Sequence, residues 1–177
     1  MGLGRWMVGA GAIVLAAGCN KGPAPLSDAE RAALADSVSQ VATDLFAGMA
    51  APATAASVDK MLSYYVKGDA LVHAEYGMIY PTYDSLVKVI RAMFRPGTTV
   101  NMTLDQKRLT VLDRDVVVLT ALLNATMKDS AGKATPMHEA WMAVFHRTPD
   151  GWKIAADHES VAPPAPPTPA KPKHRRH

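Results

Sequence analysis

Asp157, His158, Glu159 and Ser160 stand side by side at the end of the stretch GWKIAADHES, shortly before a proline-rich terminus. An imidazole flanked by carboxyl groups has the composition of a general acid/base site. A carboxylate beside the ring sets its tautomer and raises its pKa, as proton transfer near neutral pH requires. Which of these groups can meet is decided by the element that carries them. Successive side chains of a β-strand point to opposite faces. Trp152, Ile154, Ala156 and His158 are therefore expected on one face, with Lys153, Ala155, Asp157 and Glu159 on the other. If Trp152 and Ile154 enter a core, His158 follows them inward and Asp157 and Glu159 face water. In the preceding segment Glu139, Trp141, Ala143 and Phe145 share a face. Bulky aromatic residues supply most burial per residue and turn that face inward, which brings Glu139 to the same rim as His158. His158 and Glu139 are the candidate catalytic pair. Trp141 and Phe145 would line a pocket below them, with Tyr65, His73 and Tyr80 as further walls.

Other chemistries find less in the sequence. His138, Glu139 and His158 are metal-ligand types, but alternation sends His138 and Glu139 to opposite faces. Neither a metal site nor a cofactor is expected. No Gly-rich phosphate loop or nucleophile elbow is present. The ten methionines are scattered along the chain and read mostly as core filler.

Stepping outward from these residues, the positioning elements follow from caps and periodicity. Ser27-Asp28-Ala29-Glu30 is a capping box, and Leu34, Val38, Val41, Leu45, Phe46 and Met49 recur at helical spacing to about Ala50. A shorter helix is expected from Ser57 to Tyr64 or Tyr65. Asp69 to Tyr80 reads as a hairpin around Gly77, and Thr82 to Phe94 returns to helical spacing before Pro96-Gly97. Four strands then follow, Thr98–Leu112, Val116–Met127, Thr135–Arg147 and Trp152–Ser160, separated by turn-prone DRD, DSAGK and TPDG. About three helices followed by an antiparallel meander indicate an α+β domain in which a curved, mainly antiparallel sheet wraps the helices.

With the elements in this order, residues 27–160 resemble the nuclear transport factor two-like superfamily, and within it the SnoaL-like branch. The carrying features are the Tyr64-Tyr65 step into a strand, the Gly77 hairpin, the Tyr83–Phe94 helix and, above all, TPDGWKIAADHES, whose His158-x-Ser160 ending matches the family's closing strand. The resemblance implies a cone-shaped α+β barrel with a pocket at its open end. The family includes ketosteroid isomerases, polyketide cyclases and dehydratases, beside members that only bind or assemble, so the fold leaves function open. Its enzymes use an inward Asp or an Asp/His pair; here Asp69, Asp105 and Asp157 fall at strand ends or on faces the pattern does not fix, and none is assigned as the base.

The two ends of the chain carry different information. Residues 1–18 hold one positive charge at Arg5 and an apolar run from Trp6 to Ala17, too short to span a bilayer and flanked as an export signal is. Leu15-Ala16-Ala17-Gly18-Cys19 resembles a bacterial lipobox. The single cysteine cannot form an intramolecular disulfide, so Cys19 is the expected lipidation site, with residues 19–26 as tether. Residues 161–177 form a Pro-rich basic tail without the apolar content to fold. Arg5 accounts for one unit of the net charge of +3, and Lys171, Lys173, Arg175 and Arg176 for four, which leaves −2 between them. No basic stripe with interleaved aromatics appears, so no nucleic-acid partner is expected.

These readings describe a protein of the bacterial cell envelope, held to a membrane by lipid on Cys19, with the periplasmic side of an outer membrane favoured in a Gram-negative cell. Its domain is expected to bind a small apolar or amphipathic ligand, or a protein partner, without turnover. The alternatives are an isomerase, dehydratase or cyclase using His158 and Glu139 as acid/base, and an assembly module with a vestigial pocket. Alternate residues of VVVLTALLNATM, with Met142 and Val144, are more apolar than a solvent face requires, which points to a homodimer through the sheet.

Overall fold

The computed structural model of the chain describes residues 24–161. The expected signal, Cys19 and the tail beyond Val161 lie outside them. Helix α1 (Asp28–Ala47) starts where the sequence says, with Ser27 and Glu30 forming both reciprocal cap bonds. Arg114, in the turn between two later strands, donates to Glu30 at 2.7 Å and ties that turn to the helix start. Helix α2 (Ala55–Leu62) begins two residues earlier than expected. Thr54 is the cap and Ser57 its reciprocal partner three residues on, the same short-range exchange that recurs with Thr82 and Ser85 at helix α3 (Tyr83–Met93).

Strands β1 (Val72–Glu75) and β2 (Met78–Tyr80) form the hairpin, and β3 (Thr99–Val111), β4 (Val116–Lys128), β5 (Ala134–Thr148) and β6 (Gly151–Val161) form the meander. The six strands make one sheet in the order β2-β1-β6-β5-β4-β3. All neighbours are antiparallel except β1 and β6, which run parallel with His73 opposite Asp157. The hairpin turn has positive φ at both Tyr76 (47°) and Gly77 (75°), the backbone a two-residue hairpin needs to match strand twist.

The core lies between the sheet's inner face and the helices. Val38, Ala42 and Leu45 of α1, Leu62 of α2 and Leu86 of α3 pack against Leu119 and Leu123 of β4 and Trp141 and Phe145 of β5. Each buried valine, leucine or phenylalanine among them contributes about 1.5–3 kcal/mol. Trp152 is buried and its ring nitrogen donates to Ser37 Oγ at 3.1 Å, seating the start of β6 under α1.

One irregularity decides what the sheet can do. Ile154 lies opposite Phe145, yet Ala156 lies opposite Val144. Ala155 is therefore an extra residue on β6, a β-bulge, and one extra residue exchanges the faces of everything beyond it. The bulge sits where β6 changes neighbours on its other edge. Ile154 pairs with the Tyr64–Val66 segment, and from Ala156 onward the neighbour is β1.

Candidate functional site

The bulge reverses the expectation drawn from strict alternation. Trp152 and Ile154 are inside, as the sequence indicates, but the next inward residues are Asp157 and Glu159. His158 is exposed on the outer face, opposite Met142. It takes no part in the inner site and does not meet Glu139. Asp157, expected in water, has a side chain with no exposed surface.

Three donors from three elements converge on Asp157. His73 of β1 approaches Oδ1 through Nδ1 at 2.7 Å. Tyr65, just past α2, donates its hydroxyl to Oδ2 at 3.2 Å, and Trp141 of β5 donates its indole N–H to the same oxygen at 3.4 Å. A buried carboxylate is tolerable only with such partners, and the partners fix it in turn. Because Asp157 accepts at Nδ1, that nitrogen carries a proton and Nε2 is the working end of the ring. Nε2 is buried, has no hydrogen-bond partner, and lies 3.7 Å from Glu75 Oε2. Burial by itself lowers the pKa of the imidazole, but the bond to Asp157 and the proximity of Glu75 outweigh it and raise it to about 10. Tyr80 stacks on the ring with centroids 5.6 Å apart.

Toward the open end of the sheet, one strand position further on, Glu75 and Glu139 are buried and Glu159 is partly buried. Glu139 accepts from the Tyr76 hydroxyl at 3.1 Å, so the strained hairpin residue reaches over this carboxyl. Burial, reinforced by the charges of Asp157 and Glu139, pushes Glu159 up to about 8. The hydroxyl of Tyr65 is driven well above its usual range, first by burial and then by Asp157.

These groups border a narrow cavity of about 50 Å³ between sheet and helices, room for only a few waters. Tyr65, His73, Glu139 and Trp141 line it, four of the residues brought forward from the sequence, and Glu75 and Glu159 join them. Tyr80 touches His73 from outside the lining, and Phe145 is fully buried edge-on to Trp141. Six of the ten methionines gather here, Met61, Met93, Met102, Met127 and Met137 from five elements and Met49 from just past α1. A wider groove of about 250 Å³ beside α2 shares Leu45, Met49, Met61 and Phe94 with the cavity wall.

Two signals for the missed residues exist in the sequence. His73 and Glu75 are two apart in VHAE and must share a face. The Ala155-Ala156 pair carries no size contrast, so the alternation pattern is silent there on which phase continues. Among the described residues no three His, Cys, Asp or Glu side chains are placed to hold a metal ion.

Residues 42–164 match the family model of the SnoaL-like domain. No curated protein gives a sequence match. A candidate dehydratase of the NTF2-like family from Streptomyces avermitilis superposes with a TM-score of 0.64 at 15% identity, covering 75% of this chain and 99% of that one. A candidate scytalone dehydratase from Novosphingobium aromaticivorans gives 0.64 at 7% identity over 77% and 89%. A candidate calcium/calmodulin-dependent protein kinase II association domain from Xanthomonas campestris gives 0.60 at 15% over 72% and 87%. At these identities the likeness is one of fold.

Proposed function

The chain belongs to the SnoaL-like domain family, and from that premise we propose that its cavity binds a small organic molecule and moves a proton on it through His73. The observation that carries this reading is the Asp157–His73 pair, bonded at 2.7 Å, with the opposite ring nitrogen free and buried at a cavity. Asp157, anchored by Tyr65 and Trp141, is the positioning residue. With its pKa raised to about 10, His73 is an imidazolium at neutral pH. It donates from Nε2 to a carbonyl or departing hydroxyl oxygen, while a neighbouring carboxylate accepts the proton from the adjacent carbon. Reactions of this type belong to isomerases and lyases, and a positioned acid or base of this kind is worth about 10²–10⁴ in rate. Likeness to two candidate dehydratases supports the class.

The test is exchange of the α-hydrogens of cyclohexanone with deuterated water, followed by NMR. The protein should accelerate it, and His73→Gln should lose about two orders of magnitude or more. Cyclohexanone that binds in the cavity without exchange above buffer would refute proton transfer and leave a binding protein.

A second reading concerns assembly and location. Leu122 and Met142 are 38% and 47% exposed on the outer sheet face, where Ala140 lies opposite Leu122, and Thr120 and His158 flank Met142. This supports a homodimer through that face, as does the likeness to an association domain. The lipobox-like stretch ending in Cys19 supports a lipid-anchored envelope protein. Labelled palmitate entering the wild type and not Cys19→Ala is the expected result.

A further inference from the structure

The cavity's lining is lopsided in charge. Glu75 from β1, Glu139 from β5 and Glu159 from β6 border it, and among the described residues that do so there is no lysine or arginine. His73 is the one basic group, and Asp157 behind it already takes up that charge. The remaining groups that face the carboxyls are hydroxyls, Tyr76 on Glu139 and Tyr65 on Asp157. From α1, α3, β3 and β4 the lining side chains are apolar, among them Phe46, Met93 and Met102. Three carboxyl groups thus share a poorly hydrated space with one imidazolium, which lies 3.7 Å from Glu75 and is already matched by Asp157.

We propose that the cavity's ligand is a small organic ammonium compound that also bears an oxygen function, the ammonium seated among Glu75, Glu139 and Glu159 and the oxygen against Nε2 of His73. The inference rests on reading this cavity as the binding site, and it names the substrate class. Two independent observations converge on it. The carboxyl row asks for a positive charge, because buried like charges are relieved only by protonation or by a cation. The imidazole nitrogen, buried and without a partner, asks for an acceptor, which an amine alone does not supply. A carboxylate ligand would add a further negative charge to the row and is disfavoured.

The walls fit the same class. Trp141 and Phe46 line the cavity, aromatic rings attract an alkylammonium that reaches their faces, and thioether side chains adapt to irregular apolar shapes. At rest the space is only about 50 Å³, but it shares Leu45, Met49, Met61 and Phe94 as walls with the groove of about 250 Å³. Rotation of the two unbranched methionines would widen the space toward that groove. In the empty cavity Glu159, pushed up to about 8, keeps its proton at neutral pH. An ammonium must displace that proton, so its affinity rises with pH over this range.

The test is an NMR titration of the Met-methyl-labelled protein with trans-2-aminocyclohexanol, trans-1,2-cyclohexanediol and trans-2-hydroxycyclohexanecarboxylate, at pH 6 and pH 8. Both values leave an aliphatic ammonium charged. The amino alcohol should shift the cavity methionines and bind about tenfold or more tighter than the diol at pH 8. The gap should narrow at pH 6 and vanish in the Glu75→Gln/Glu159→Gln double variant. Equal or tighter binding of the diol or the hydroxy acid overturns the proposal, and so does an amino alcohol that leaves the cavity methyls unmoved. Cyclohexanone exchange keeps the two readings apart. Exchange without amine preference sinks only the ligand class, and amine preference without exchange sinks only proton transfer.

Discussion

The two faces of the sheet have opposite economies of polar groups. On the inner face, Glu75, Glu139, Asp157 and His73 are each no more than about 5% exposed, and Asp157 survives there by accepting from three donors. The outer face lies in water and carries Leu122 and Met142 at its centre, with His138 bonded only to its cross-strand neighbour Asn124. On β5 the two meet in one strand, with Glu139 buried on the inner face and Met142 exposed on the outer. Stability alone explains neither arrangement, since a buried ion pair is weak evidence for stability and exposed apolar area is not needed by a monomer. The proposed ligand belongs to the inner face and the proposed homodimer contact to the outer one.

The largest test of this contrast is deletion of Ala155. Without the bulge, β6 cannot keep Trp152 and Ile154 in the core and Asp157 against His73 at once. A loss of about 4 kcal/mol or more, or no cooperative fold, is expected in thermal and urea denaturation. Retention of the wild-type midpoint would mean that the two halves of β6 are not locked in phase. Next comes Asp157→Ala, which strands the donors of His73, Tyr65 and Trp141. The cost should be about 3–5 kcal/mol, with Asp157→Asn well below it because an oxygen acceptor remains.

The pH dependence of stability should come from the inner face. Glu159 has a folded-state pKa of about 8 against an ordinary 4.5, so the native state binds more protons than the unfolded chain between those values and loses stability as pH rises through them. His73, raised from 6.5 to about 10, contributes stability that is complete below 6.5 and is lost toward 10. The melting temperature should therefore fall from pH 5 to pH 10. Glu159→Gln should flatten the lower part of the decline and His73→Gln the upper part. A melting temperature that climbs from pH 5 to pH 8 would contradict these assignments.

The smallest effect on the fold is expected at the outer face. Leu122→Glu with Met142→Glu should change the intrinsic stability of the monomer by only about 0.5 kcal/mol per site while halving the mass measured by light scattering at micromolar concentration. A wild-type protein that is already monomeric there would remove the homodimer reading and leave the inner site untouched.

The elements were legible because their signals are local. Ser27 and Glu30 announce α1, Thr82 opens α3, and strict alternation from Glu139 to Phe145 orients β5 correctly. The early hairpin was legible too, but its parallel pairing with β6 was not, because that contact joins residues 84 positions apart. The site was half legible. Tyr65, His73, Glu139 and Trp141 reach the cavity, whereas His158 was drawn in by an alternation that Ala155 breaks. The methionines could not be placed from the sequence, since an unbranched apolar side chain fits almost any core position.

Caps, periods and turns, set by a few neighbouring residues, were enough to determine that this chain folds as three helices on a curved sheet. Which imidazole and which carboxylates share the cavity was decided only when β6 docked between β5 and β1. A single additional residue in a strand costs little locally, yet it reverses the direction of every side chain beyond it, and only the packed neighbours on both edges determine where that residue falls.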